Sequence, residues 1–574
     1  MRFLSTLTAS VLGTLVAFGL VVFFLFFFFF ALALSGDTAP SVQPGSVLVL
    51  PIEGAIPERT TSDPVQQAFG EGPSYDLLDL QTALRNAGQD ERIEAVWLRM
   101  KGTSASWGTL EEVRASVQAL QKQGMPVIAS SEEFGLGEKG YYVASAADSV
   151  FVGPQASFEY NGFASILAFF QNTFDKLQVE PEVVRAGKYK SAVEPFIRSD
   201  LSEANRKQLD ALLSTVNTEF VTAVAGDRAL SPDSLRQLAE DDALLRAEEA
   251  VDEGLIDGLR YEGEVRSLLR AELDLPSQAD LPTITVSSYQ QVPAPDTGVS
   301  FTGEGSVAIV YGQGNIVSGD PNQSPFGPTS QVLGSTPVIK ALNEARTSTS
   351  TQAVVLRINS PGGSAAASEA LWRAAQRTAK AKPLIVSMGG VAASGGYYMA
   401  APADTIVANA TTTTGSIGVF GLLWNARGLF EDRLGVTFDD VTTSPYADLY
   451  TPTKPLAPSE RRLLSRSIDS IYETFLRRVA AGRDMDTSAV HDVAQGRIWS
   501  GRDAEAVGLV DTLGTLQDAI AIAGRAADMG DGPYRTRILP RPKTFVERLN
   551  ERFATQVTTL WQSMAATPLE RSLW

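Results

Sequence analysis

A chain of 574 residues exceeds what one ordinary core organises, so two or more domains are expected, and 44% hydrophobic with 20% charged residues marks a globular composition. The net charge of -18, from 66 acidic against 48 basic residues, argues against nucleic-acid binding. With no Cys and a single His, His491, thiolate chemistry, disulfide frameworks and the common zinc sites are excluded, although a carboxylate-only metal site is not.

No charged residue interrupts the stretch from Phe3 to Leu34, which is ample for a bilayer span of ~20 residues. A cleavable signal peptide is the alternative, and Ala31-Leu32-Ala33 faintly fits its cleavage site, but its apolar core runs to only ~7 to 15 residues. Residues 1–36 are therefore expected to form a membrane anchor. Arg2 and the terminal amine on the short side put the bulk of the chain across the membrane from the cytoplasm.

Beyond the anchor the chain repeats itself. Ser46-Val47-Leu48-Val49-Leu50 followed by Gly54 and Ile56 matches Ser306-Val307-Ala308-Ile309-Val310 followed by Gly314 and Ile316. Ala95–Met100 matches Ala353–Ile358, Gly140-Tyr141-Tyr142 with Ala147-Asp148 matches Gly396-Tyr397-Tyr398 with Ala403-Asp404, and Gly254–Asp257 matches Gly508–Asp511. Each copy alternates short apolar runs with helical stretches, as in Val354 to Ile358, Ala365 to Lys380 and Pro383 to Met388, which predicts βαβ units with buried strands. The copies are expected at residues 45–285 and 300–532, joined by a Pro-, Ser- and Thr-containing linker over 276–305. A tail over 533–574 opens with Arg535, Arg537, Arg541 and Lys543 and then sets Phe545, Leu549, Phe553, Val557, Leu560, Trp561 and Met564 on one helical face, for packing on protein or on a membrane surface.

The second copy carries the chemistry. In Asn359-Ser360-Pro361-Gly362-Gly363, after a predicted strand, the two glycines let backbone N–H groups turn toward a ligand, as an oxyanion hole needs; a plain turn is the alternative. Ala392-Ala393-Ser394-Gly395-Gly396-Tyr397 follows another apolar strand, and small residues on both sides of Ser394 fit either a serine exposed at a strand-to-helix turn or close packing. Taken with Thr414-Gly415-Ser416-Ile417-Gly418, these motifs resemble the signal peptide peptidase A family over about residues 45 to 535.

That resemblance implies a tandem α/β fold of Clp and crotonase type and a serine peptidase without cofactor or metal. Ser394 would be the nucleophile, and the Gly395 N–H with one from the turn at Gly362 and Gly363 would hold the oxyanion. His491 has no partner pattern around it, so the base is expected to be a lysine, buried enough to be neutral when it acts. Tyr189-Lys190-Ser191-Ala192 resembles the lysine motif of the long, two-copy members, although Lys188 stands two residues away. When Leu177-Gln178-Val179 is aligned with Leu434-Gly435-Val436, Lys190 meets Ala447, and on the frame that matches Gly140-Tyr141-Tyr142 with Gly396-Tyr397-Tyr398, Glu138 meets Ser394. Each copy has what the other lacks, so one composite site is expected where they meet. Ser416 would orient the lysine amine, a helix-cap role being the alternative.

By the same resemblance the substrates are cleaved signal peptides and other unfolded hydrophobic peptides. The resemblance implies too a homotetramer, placed at the bacterial inner membrane, single-pass, with the catalytic part on the periplasmic side. An acyl-CoA enzyme of crotonase type, with Glu138 as an acid–base group, and a catalytically dead membrane scaffold are the rival readings.

Overall fold

The computed structural model describes residues 6, 10–21, 23–24, 27, 40–60, 75–131, 135–320 and 332–541. Residues 10–21 are helical and exposed, and half of the uncharged run from Phe3 to Leu34 lies outside the described residues. Among the described residues no helix is long and apolar enough to cross a membrane. The amphipathic face from Phe545 to Met564 also lies outside them.

Two mainly parallel sheets are built to one plan. In the first, parallel strands run in the order Gly258–Leu259, Ser149–Val152, Val127–Ser131, Ile93–Thr103, Ser46–Gly54 and Thr283–Thr285. In the second, the order Thr512–Leu513, Thr405–Ala408, Leu384–Ala393, Thr351–Ser360, Ser306–Gln313 and Thr536–Leu539 repeats it. Val307, Ala308, Ile309 and Val310 are fully buried, as a parallel strand covered on both faces requires. Helices Trp107–Gln121 and Ala365–Ala379, the latter capped by Ser364, pack on these sheets.

The duplication extends to single hydrogen bonds. Tyr141 Oη donates to the Leu255 carbonyl at 2.5 Å, and Tyr397 Oη to that of Leu509 at 2.7 Å. Asp148 accepts from Val127 N and Asp404 from Leu384 N, while Asp257 and Asp511 accept from Val150 N and Ile406 N. Arg228 and Arg483 pair with these last two aspartates. Two segments differ from their sequence reading. The linker contributes the edge strand Thr283–Thr285, and the start of the tail contributes the equivalent strand Thr536–Leu539. Both strands are too short for a periodic signal, and the arginines around the second pointed away from a sheet.

The copies meet at a strand seam and in the interior. Strand Glu180–Ala186 of the first pairs antiparallel with strand Val419–Asn425 of the second. Deeper in, the Arg357 guanidinium is fully buried between Glu58, at 2.8 and 2.9 Å, and Glu112, at 2.7 Å. Burial works against that charge, but Glu112 and Glu58 more than offset it, so Arg357 stays charged. Removing one member of such a buried group leaves the others unpaired, at a cost of about 3–5 kcal/mol.

Candidate active site

Strand Leu384–Ala393 ends at Ser394, which heads helix Gly395–Ala400 with φ +54° and ψ -118°. A serine pays roughly 1–3 kcal/mol for such a conformation. It is held by Ser394 N donating to the Gly415 carbonyl and by Tyr398 N donating to the Ser394 carbonyl, both at 2.9 Å. The sharp turn lifts the hydroxyl off the end of the sheet. Close packing accounts for the small neighbours as well: a Cβ on Gly396 would lie 2.6 Å from the Ser360 carbonyl oxygen, and one on Gly395 2.4 Å from Ser368 Oγ.

Facing Ser394 is Lys190, only 4% exposed, in the loop that follows the cross-copy strand Glu180–Ala186. Its Nζ lies 3.0 Å from Ser394 Oγ, 2.8 Å from the Ser416 carbonyl oxygen and 2.9 Å from Ser416 Oγ. Desolvation lowers its pKa to about 7. A neutral amine has two N–H donors and one lone pair. With both donors on Ser416, the lone pair is left for the Ser394 hydroxyl proton. Ser416, at φ +51°, follows strand Thr413–Gly415 and heads no helix, so the helix-cap alternative does not apply. Lys188 is exposed, with its amine over the Tyr189 ring.

At the glycine turn, Gly362 has φ +103° and its N–H donates to Ser360 Oγ at 3.2 Å, so that donor is already engaged. Gly363 bridges Ile316, and this bridge uses the Gly362 carbonyl and the Ser364 N–H rather than the N–H of Gly363. The Gly363 N–H takes no part in that bridge, and Gly395 opens the helix behind Ser394. A Cβ on Gly362 would lie 2.7 Å from Gly395 N and 2.8 Å from Ser394 Cβ, so the turn must be bare to approach the serine.

The remaining candidates stand apart. His491 is exposed, and its Nδ1 lies 3.1 Å from Tyr472 Oη. Glu138, the counterpart of Ser394, accepts from Asn161 N at 2.8 Å and Gly162 N at 3.1 Å, which ties its carboxylate to its own copy.

The sequence reading missed the groups that hold the lysine loop. Arg185 donates to the Lys190 carbonyl at 3.1 Å and pairs with the buried Glu194 at 3.7 Å. Glu194 also accepts from Ser202 Oγ at 2.6 Å and Asn205 Nδ2 at 3.1 Å. Gly496 closes the loop from the second copy, where a Cβ would lie 2.5 Å from Lys190 N. Only the buried glutamate beside the lysine motif could have signalled this network.

The chain matches the model of peptidase family S49 twice, over residues 119–275 and 376–530. It is 33% identical to the chloroplastic serine protease SPPA of Arabidopsis thaliana over 88% of this chain and 72% of that protein. It is 34% identical to Protease 4 of Salmonella typhi, over 84% and 78%, and 31% identical to Protease 4 of Haemophilus influenzae, over 77% and 71%.

Proposed function

Because the chain belongs to peptidase family S49 and is a serine peptidase, we propose that it cuts peptide bonds with Ser394 as nucleophile and Lys190 as general base. The carrying observation is the Lys190 amine, desolvated to a pKa of about 7 and 3.0 Å from Ser394 Oγ. Ser394 Oγ attacks the peptide carbonyl carbon while its proton passes to Lys190 Nζ. The oxyanion is met by the N–H groups of Gly395 and the Gly362–Gly363 turn, chiefly that of Gly363. Lys190 then protonates the leaving amine. Water, deprotonated by the same amine, hydrolyses the acyl-enzyme and frees Ser394.

In this reading the domain of residues 45–285 supplies the base and that of 300–532 the nucleophile, each of Clp and crotonase type. The substrates are cleaved signal peptides and other unfolded hydrophobic peptides, as the relatives' resemblance and one name among them, a putative signal peptide peptidase of Enterococcus faecium, suggest. The uncharged Phe3 to Leu34 run anchors the enzyme in the bacterial inner membrane with its catalytic part on the periplasmic side.

Self-assembly follows from the internal repeat. Strand Glu180–Ala186 finds its partner, Val419–Asn425, within the chain. The repeat equivalents, 437–443 and 163–169, form no ladder; the first is exposed throughout, with Val441 at 101%, and the second in part, with Ile166 at 94%. Pairing 437–443 of one chain with 163–169 of the next would repeat the internal seam head to tail, and such a contact gives a ring such as a tetramer where its rotation closes.

Ser394→Ala and Lys190→Ala should each remove nearly all turnover of an apolar peptide, while Lys188→Ala and His491→Ala keep most of it. Only the neutral amine accepts a proton, so the rate should rise with pH through about 7 in the wild type and in His491→Ala alike. Turnover by Lys190→Ala within a few-fold of wild type would refute the assignment.

A further inference from the structure

We propose that Gln208 is a positioning residue for peptide cleavage, one that fixes Lys190 relative to Ser416 and Ser394; this rests on the serine–lysine reading above. Gln208 stands in the second turn of helix Glu203–Arg228 and is fully buried. A buried primary amide must satisfy two N–H donors and a carbonyl oxygen, so its partners are fixed by the fold.

Those partners surround the base from both copies. Gln208 Nε2 donates to Ser191 Oγ at 2.8 Å, to Asn205 Oδ1 at 3.0 Å and, more weakly, to the Tyr189 carbonyl at 3.3 Å. Tyr189 and Ser191 flank Lys190 on either side. On the other side of the amide, Gln208 Oε1 accepts from Ile498 N of the second copy at 3.1 Å. The preceding residue, Arg497, uses its carbonyl to accept from Ser416 N at 2.7 Å. Ser416 in turn accepts from Lys190 Nζ through both of its oxygens.

The contacts close a ring: lysine loop, Gln208, Ile498 and Arg497, Ser416, lysine amine. Without Gln208 the loop that carries the base and the segment that orients the amine would still touch, through the Tyr189 N–H on the Gln495 carbonyl and through Lys190 itself, but the amide that binds both neighbours of Lys190 to Ile498 would be gone. Displacing a reacting group by about 1 Å costs up to about 100-fold in rate, so such a tie acts on catalysis rather than on binding.

The test compares full-length wild type, Gln208→Met, Gln208→Glu and Lys190→Ala on one apolar peptide, with kcat and KM measured from acidic to alkaline pH. Gln208→Met keeps the volume and removes the polar atoms. Its kcat should fall about 10- to 100-fold with KM nearly unchanged. Gln208→Glu keeps an acceptor for Ile498 N and adds negative charge beside the base, which favours the ammonium form. The limb of its rate profile should therefore move to higher pH, and further than that of Gln208→Met, which shares any general loosening but adds no charge. Should Gln208→Met fail to fold by circular dichroism, the isosteric Gln208→Glu carries the test. A Gln208→Met kcat within about twofold of wild type, or an unmoved limb in Gln208→Glu, overturns the proposal. Substantial turnover by Lys190→Ala would instead overturn the dyad reading on which it rests.

Discussion

Lys190 sets stability against readiness to react. Burial holds its pKa near 7 in the folded chain, whereas an unfolded chain titrates near ~10.4. Between those values the unfolded chain binds the extra proton, so folding stability rises with pH through that window and the buried amine is a burden at neutral pH. Relative to Lys190→Met, the wild type should gain on the order of 3 kcal/mol between about pH 7 and about pH 10, read from chemical denaturation at the two pH values. Identical pH slopes for the two proteins would show that the amine is not desolvated. The residues of the proposed dyad were open to sequence reading because motif and repeat single them out. Gln208 was not, since it matters through Ser191 and Ile498, distant in sequence or copy, and nothing local distinguishes a buried Gln on a helix from an exposed one; Arg185 and Glu194 lie near the lysine motif, but no pattern shows that they pair.

The elements at the serine are a strand, a sharp turn and a short helix, with the Pro361–Gly363 turn laid beside them. The sequence made this arrangement legible because apolar runs, glycine pairs and helix starts are local signals. The pairing of Glu180–Ala186 with Val419–Asn425 was illegible, because nothing within either strand names its partner. At this scale the critical spacing is the bare face of Gly362. Gly362→Ala places a methyl group 2.7 Å from Gly395 N at a backbone φ of +103°, so the turn must retreat and the oxyanion site open. The expected loss in kcat is about 100- to 1000-fold, the range seen when one oxyanion donor is removed, with the oligomeric state unchanged. Near-normal kcat in this variant would show that the turn does not contribute to the oxyanion site.

Across the whole molecule the repeat provides one closed seam and leaves one open. If 437–443 pairs with 163–169 of a neighbouring chain, Val441→Pro, which removes a backbone donor and restricts the strand, should shift sedimentation toward the monomer. An unaltered assembly would place the contact elsewhere. The closed seam also governs timing. The ribosome delivers Lys190 with the first half of the chain, but the Gln495–Gly496 corner against which its loop rests arrives some three hundred residues later. On the serine–lysine reading proposed above, the lysine is until then solvated and protonated, and the serine has no base. The order of synthesis thus acts as a delay on proteolysis, and a nascent chain threading past unfolded neighbours is harmless to them until its second half has docked.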